Sequence, residues 1–110
     1  MIPGTTPTFT MRAQKKDGTL NDLSDASEVY MTMKQPGVDL TISGDNLDVD
    51  ESVVSVFLTQ EQSLQFKDNS KAKVMLNWTY PPDAKGRARR GAAGPGYLTI
   101  TEQLLRRVLP

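Results

Sequence analysis

The chain contains no cysteine and no histidine. Without cysteine there is no disulfide framework and no thiolate metal site, so packing alone must hold the fold. Without histidine the usual general base, the usual imidazole ligand and the near-neutral pH switch are missing together. Ser-His and Cys-His nucleophile arrangements are thereby excluded. Neither sign of charge is in surplus, because 13 Lys and Arg balance 13 Asp and Glu. A domain built to coat nucleic acid would carry a basic excess. Aromatic residues are scarce, and the single tryptophan, Trp78, is the natural centre of a core. No apolar run approaches the length of a membrane span. The opening residues show neither a basic n-region nor an apolar h-region. The expectation is a protein made and kept in a cytoplasm, with no membrane partner.

The 110 residues suffice for one domain and leave no room for a second core. Their dominant period is two. "EVYMTMK" sets Val29, Met31 and Met33 on one face, with Tyr30, Thr32 and Lys34 on the other. "VDLTIS" groups Val38, Leu40 and Ile42. "VVSVFLT" groups Val54, Val56 and Leu58. "KAKVMLNWTY" groups Ala72, Val74, Leu76, Trp78 and Tyr80 against Lys71, Lys73, Asn77 and Thr79. Such alternation marks antiparallel strands with one wet face. Asp17-Gly18, Pro36-Gly37 and the "SGDN" run punctuate them as turns. Strands are expected near 7–13, 28–34, 38–43, 46–50, 53–59, 71–80 and 97–101. The fold class is all-β, an immunoglobulin-like antiparallel β-sandwich of about seven strands.

Two departures from strand are expected. Thr59 with Gln62 three residues later has capping-box spacing, and one helical turn there would deliver Leu64 and Phe66 to the core. At the C-terminus "TEQLLRRVLP" places Leu104, Leu105 and Val108 on a helical stripe. Residues 102–110 are either a terminal helix of about two turns or an apolar tail that finds a partner.

Several stretches are candidates for chemistry. Asp45, Asp48, Asp50 and Glu51 are oxygen-rich, but their spacing is not that of an EF-hand loop, and solvent-facing acids on a strand account for them. Lys85, Arg87, Arg89 and Arg90 could grip phosphates. No aromatic is interleaved for base stacking, and Gly86, Gly91, Gly94 and Gly96 fit a flexible hairpin loop over 81–96. No Gly-rich phosphate loop, HExxH or GxSxG occurs. A sandwich of this size has little room for a deep cleft, so the expectation is a non-enzymatic protein with no cofactor and no small-molecule substrate. Charge is unevenly spread. Residues 1–50 carry four Lys and Arg against eight Asp and Glu, and residues 51–110 carry nine against five, giving −4 and +4. Neighbouring strands neutralising one another is the simple expectation, and stacking on copies or on a charged neighbour is the other.

"IPGTTPTFTM", "DLSDASEVYMTMKQPG", "LTISGDNLDVDESVVSVFLTQEQSLQF" and "KVMLNW" together carry a resemblance. Over residues 2–80 the chain resembles a family of small phage and prophage proteins of Gram-positive bacteria. That family opens on I-x-G-T-T-P-T-F and carries T-Q-E-x-x-L-x-F and N-W motifs. After Tyr80 this chain departs from it, with a longer segment rich in Arg and Gly. The family lies among late structural genes. The resemblance therefore implies a virion component of the tail or baseplate region, present in the host bacterial cytoplasm during assembly and then in the particle. Its implied partners are other virion proteins or copies of itself. Candidate contact residues are Arg87, Arg89, Arg90, Leu104, Leu105 and Leu109. The alternative is a small binding module for nucleic acid or carbohydrate, using the Arg87–Arg90 loop or an aromatic patch around Tyr30 and Tyr80.

Overall fold

A computed structural model describes residues 1–110. In chain order the elements are β1 (Thr8–Arg12), β2 (Glu28–Gln35), β3 (Val38–Ser43), β4 (Leu47–Asp50), β5 (Val53–Phe57), the short helix α1 (Gln60–Leu64), β6 (Ser70–Tyr80) and β7 (Arg89–Ile100). Seven strands form two antiparallel sheets, of order β1-β5-β4 and β3-β2-β6-β7. This is the all-β sandwich that the alternation predicts. In constant-type immunoglobulin domains the second and third strands lie in different sheets. Here β2 and β3 stay together, because Pro36-Gly37 closes Gln35 onto Val38 in a two-residue turn.

The predicted faces are the observed ones. Met31, Met33, Ile42, Val54, Val56, Leu58, Leu76 and Trp78 are buried in one cluster between the sheets. Phe9, Met11, Leu40, Val74, Tyr80 and Leu98 are partly buried against it. The Thr59 capping box forms, with Gln62 N–H donating to Thr59 Oγ1 and Thr59 N–H to Gln62 Oε1. The helical turn it opens leads to Phe66, which is fully buried, while Leu64 is half-buried.

One expectation is corrected and one open choice is decided. The flexible loop expected over 81–96 is confined to 81–88, because β7 starts at Arg89 and pairs Arg89, Arg90, Gly91, Ala92 and Ala93 with Tyr80 through Leu76. The small residues there are packing devices. A Cβ on Gly91 would lie 2.4 Å from the Trp78 indole, so only glycine lets β7 pass the ring. Between Val74 and Leu76 the register shifts by one residue, a β-bulge, and Gly94 there has φ of 109°. Of the two alternatives for residues 102–110, the structure has the irregular tail and not the helix. Nine residues make a marginal helix unless one face is buried, and Arg106 is spent on other bonds.

The N-terminal segment links both sheets. Thr5 closes a turn on the Ile2 carbonyl, through its N–H at 3.3 Å and its hydroxyl at 2.6 Å. Pro3 is fully buried. Gly4 N–H donates to Ser63 Oγ at 2.9 Å, and that hydroxyl donates to Thr5 O at 2.7 Å. Met1 N donates to Thr99 O, and Met1 O accepts from Thr101 N–H at 2.8 Å, prolonging the β7 edge.

Replacing Gly91 by alanine is expected to destabilise the fold by about 1–3 kcal/mol in chemical denaturation, through overpacking against Trp78. An unchanged midpoint would show that the indole has room to move aside.

Candidate functional site

The arginines Arg87, Arg89 and Arg90 are not gathered into one cluster. Asp83 organises the 81–88 loop, accepting from Lys85 N–H at 2.9 Å and Arg87 N–H at 3.0 Å on one oxygen and from Arg87 Nε at 2.7 Å on the other. These bonds from Arg87 hold the Asp83 carboxyl below its ordinary value of 3.8. Arg89 donates twice to the Pro81 carbonyl, at 3.2 and 2.8 Å, and its guanidinium stands 5.2 Å from the Tyr80 ring centroid. Arg90 donates to Asn77 Oδ1 at 2.8 Å. Strand alternation explains the separation, since neighbours on β7 point to opposite faces. The same alternation parts Tyr30 from Tyr80. Tyr30 pairs with Asn77 on the outer face, while Tyr80 follows Trp78 inward, so the aromatic patch expected around them does not form.

The tail is different. Its backbone and polar side chains are fastened to the body. Gln103 Nε2 donates to Pro3 O at 2.8 Å. Arg106 donates to Leu64 O and Phe66 O, both at 2.9 Å, and pairs with Asp68. Gln60 grips Leu109 from both sides, accepting from its N–H at 2.8 Å and donating to its carbonyl at 3.0 Å. The apolar side chains stay outside: Leu104 is 89% exposed, Leu105 and Val108 47% each and Leu109 45%. The tail thus carries exposed apolar side chains on a segment anchored at Gln103, Arg106 and Leu109.

Two surfaces lay beyond the reach of sequence reasoning because they depend on register. The first is on the outer face of the four-stranded sheet, where a row runs Asp39, Lys34, Lys73, Tyr97 across β3, β2, β6 and β7. Lys71 joins it, and together with the Pro36-Gly37 turn these residues line a shallow hollow of about 580 Å3. Lys34 and Lys73 are direct cross-strand partners, an arrangement that like charges disfavour. Lys34 reaches Asp39 at 3.6 Å, while Tyr97 is 67% exposed. The second is a groove of about 500 Å3 at the other end of the β2–β3 hairpin. It is lined by Glu28, Asp50 and Glu51 with Leu23, Ala26, Val29, Leu47 and Val49, and by no Lys or Arg. Asp48 stands exposed on the adjoining β4. Alternation had marked Lys71, Lys73 and Lys34 as wet, but nothing in the sequence disclosed that they meet. Asp45, Asp48, Asp50 and Glu51 do not converge as a metal-holding group. No helix is long and apolar enough to cross a membrane.

Ion pairing gives the charge asymmetry its meaning. The three salt bridges are Lys34–Asp39, Arg87–Asp83 and Arg106–Asp68. Each joins two residues of the same half of the chain. Lys34–Asp39 joins the neighbouring strands β2 and β3, while no pair joins the acidic first half to the basic second half.

Replacing Asp83 by alanine removes the acceptor on which the 81–88 loop closes. Trypsin is expected to cut faster after Lys85 and Arg87 in that variant, with the rest of the chain still resistant. Acid acts in the same direction. A carboxyl whose folded pKa is depressed contributes its order above the unfolded value, and that order is lost as pH falls through the folded value. Protection of the Gly86 and Arg87 amides, referred to an unstructured peptide at the same pH, should therefore fall only below about pH 4. Equal cleavage rates in both proteins would show that the loop is held by something else.

Compared with known protein families, with curated protein sequences and with solved structures, the chain matches none.

Proposed function

We propose that this chain is a non-enzymatic component of a phage or prophage virion, in the tail or baseplate region, and that it works through protein–protein contacts. Its place is the host bacterial cytoplasm during assembly and the particle thereafter. Its partners are other virion proteins or copies of itself. The sequence motifs over residues 2–80 point to this setting. The observation that carries the contact role is the row Leu104, Leu105, Val108 and Leu109, held out of the core on a tail whose backbone is fixed. Each leucine covered by a partner contributes about 1–2 kcal/mol, and a backbone that is already ordered lowers the entropy such a joint must offset. The arginines argue in the same direction. Arg87, Arg89 and Arg90 are bonded within the chain and spread over two faces, which disfavours the alternative of a nucleic-acid module. With Tyr30 and Tyr80 on opposite faces, a carbohydrate platform has no pair of rings to stack on.

The test is a triple variant, Leu104→Ser, Leu105→Ser and Leu109→Ser, which keeps Gln103, Arg106 and every backbone bond of the tail. Stability should fall by less than about 1 kcal/mol, because these side chains lie largely outside the core. Incorporation into particles, read by immunoblot of purified virions, should be lost. Incorporation at the wild-type level would overturn the reading.

A further inference from the structure

The basic hollow and the acidic groove lie at opposite ends of one hairpin. β2 begins at Glu28 in the groove and reaches the hollow at Lys34 and Gln35, and β3 returns from Val38 and Asp39 in the hollow to Ser43 in the groove. Six residue steps of strand put roughly 20 Å between them. Neither surface satisfies the other within one molecule. The hollow presents Lys34, Lys71 and Lys73 with Asp39 as its lone carboxylate, and it keeps a directly opposed lysine pair. The groove presents Glu28, Asp50 and Glu51 with no cation among its lining residues. Both surfaces also carry apolar area: Tyr97, Pro36 and Val38 in the one, Val49, Leu47 and Ala26 in the other.

From this complementarity we propose that the two surfaces bind each other between copies. The Lys34, Lys71 and Lys73 hollow of one molecule receives the Glu28, Asp50 and Glu51 end of a second. The contact deepens the reading of the chain as a protein–protein component by naming one partner as the chain itself, and it is independent of the apolar tail. Tyr97 packs on the apolar floor around Val49 while the lysines face the carboxylates. An opposed pair of lysines, disfavoured in the monomer, becomes favoured once carboxylates lie between and beside it. Electrostatic contacts of this kind weaken as the screening length shortens.

The experiment uses the full chain and two exposed double variants, Lys71→Glu with Lys73→Glu, and Asp50→Lys with Glu51→Lys. Sedimentation is measured at about 50 mM and about 500 mM salt, which span a severalfold change in screening length. The wild type is expected to associate at low salt and to fall to monomer at high salt. Each double variant alone should remain monomeric, since both of its surfaces then carry one sign. An equimolar mixture of the two should associate again, because the reversed surfaces complement each other. The milder substitutions Lys73→Gln and Asp50→Asn should each weaken association by about tenfold without recharging either surface. A wild type that is monomeric at low salt, a single variant that associates as the wild type does, or a mixture that stays dispersed would overturn the proposal. The leucine variant of the tail should associate with itself normally. Normal copy–copy association together with normal particle incorporation of that variant would remove the role of the tail and leave this contact standing.

Discussion

The close approach of Trp78 to the bare backbone of Gly91 governs much of this structure. The ring lies where a side chain on β7 would be, at the Trp78–Gly91 pair of the β6–β7 ladder. Once Gly91 and Ala93 face the core, an unbroken ladder would continue with Pro95, Tyr97 and Thr99 inward. The extra residue at the Gly94 bulge reverses that parity. Val74 therefore meets Gly96, Ala72 meets Leu98 and Ser70 meets Ile100, so that Leu98 and Ile100 face the core. The same reversal turns Tyr97 outward, onto the face that carries Lys34, Lys71 and Lys73. The bulge in the middle of β7 thus decides which side chains reach the surface beyond it.

With no disulfide, the crossover from β5 to β6 relies on two buried polar side chains. Ser63 satisfies Gly4 N–H and Thr5 O, tying the N-terminal segment to α1. Gln35 accepts from Lys67 N–H at 2.7 Å and donates to Ser70 Oγ and Lys71 O at 3.0 and 3.3 Å, tying the end of α1's connection to β2. Buried groups left without such partners cost more than the bonds contribute, so these two positions constrain the crossover more strongly than their size suggests. The tail inherits that order. Arg106 reads carbonyls of Leu64 and Phe66, and Gln60 holds Leu109, so the route of the tail is set by α1.

Much of this was legible in the sequence because it depends on near neighbours. Alternation assigned Met31, Met33, Val54, Val56, Leu76 and Trp78 to the core, the Pro36-Gly37 pair marked the turn, and Thr59 with Gln62 marked the helix start. What failed depends on partners distant in sequence. Gly91 and Gly94 look like flexibility until the Trp78 ring and the bulge are placed beside them. Leu104, Leu105 and Val108 have helical spacing, but Arg106 finds three acceptors in residues 64–68 and the tail runs irregularly past them. The candidate arginines are close in sequence and divergent in space, since adjacent strand residues face opposite ways. The lysine hollow is the reverse case, distant in sequence and joined by register.

The charge imbalance between the halves of the chain sharpens into a statement about distance. Fixed charges act on one another strongly only within a Debye length, about 8 Å at physiological salt. The basic hollow and the acidic groove are separated by more than twice that, so each behaves as an isolated patch on its own molecule. Within the chain the ion pairs are Lys34 to Asp39, Arg87 to Asp83 and Arg106 to Asp68, and they leave the carboxylates of the groove without a lysine or arginine partner. Contact between copies is the arrangement that brings these opposite charges within a few ångströms. A two-fold pair of copies would use both contacts at once, and a head-to-tail row would leave one surface open at each end. The first arrangement ends at two molecules and the second ends only when a ring closes.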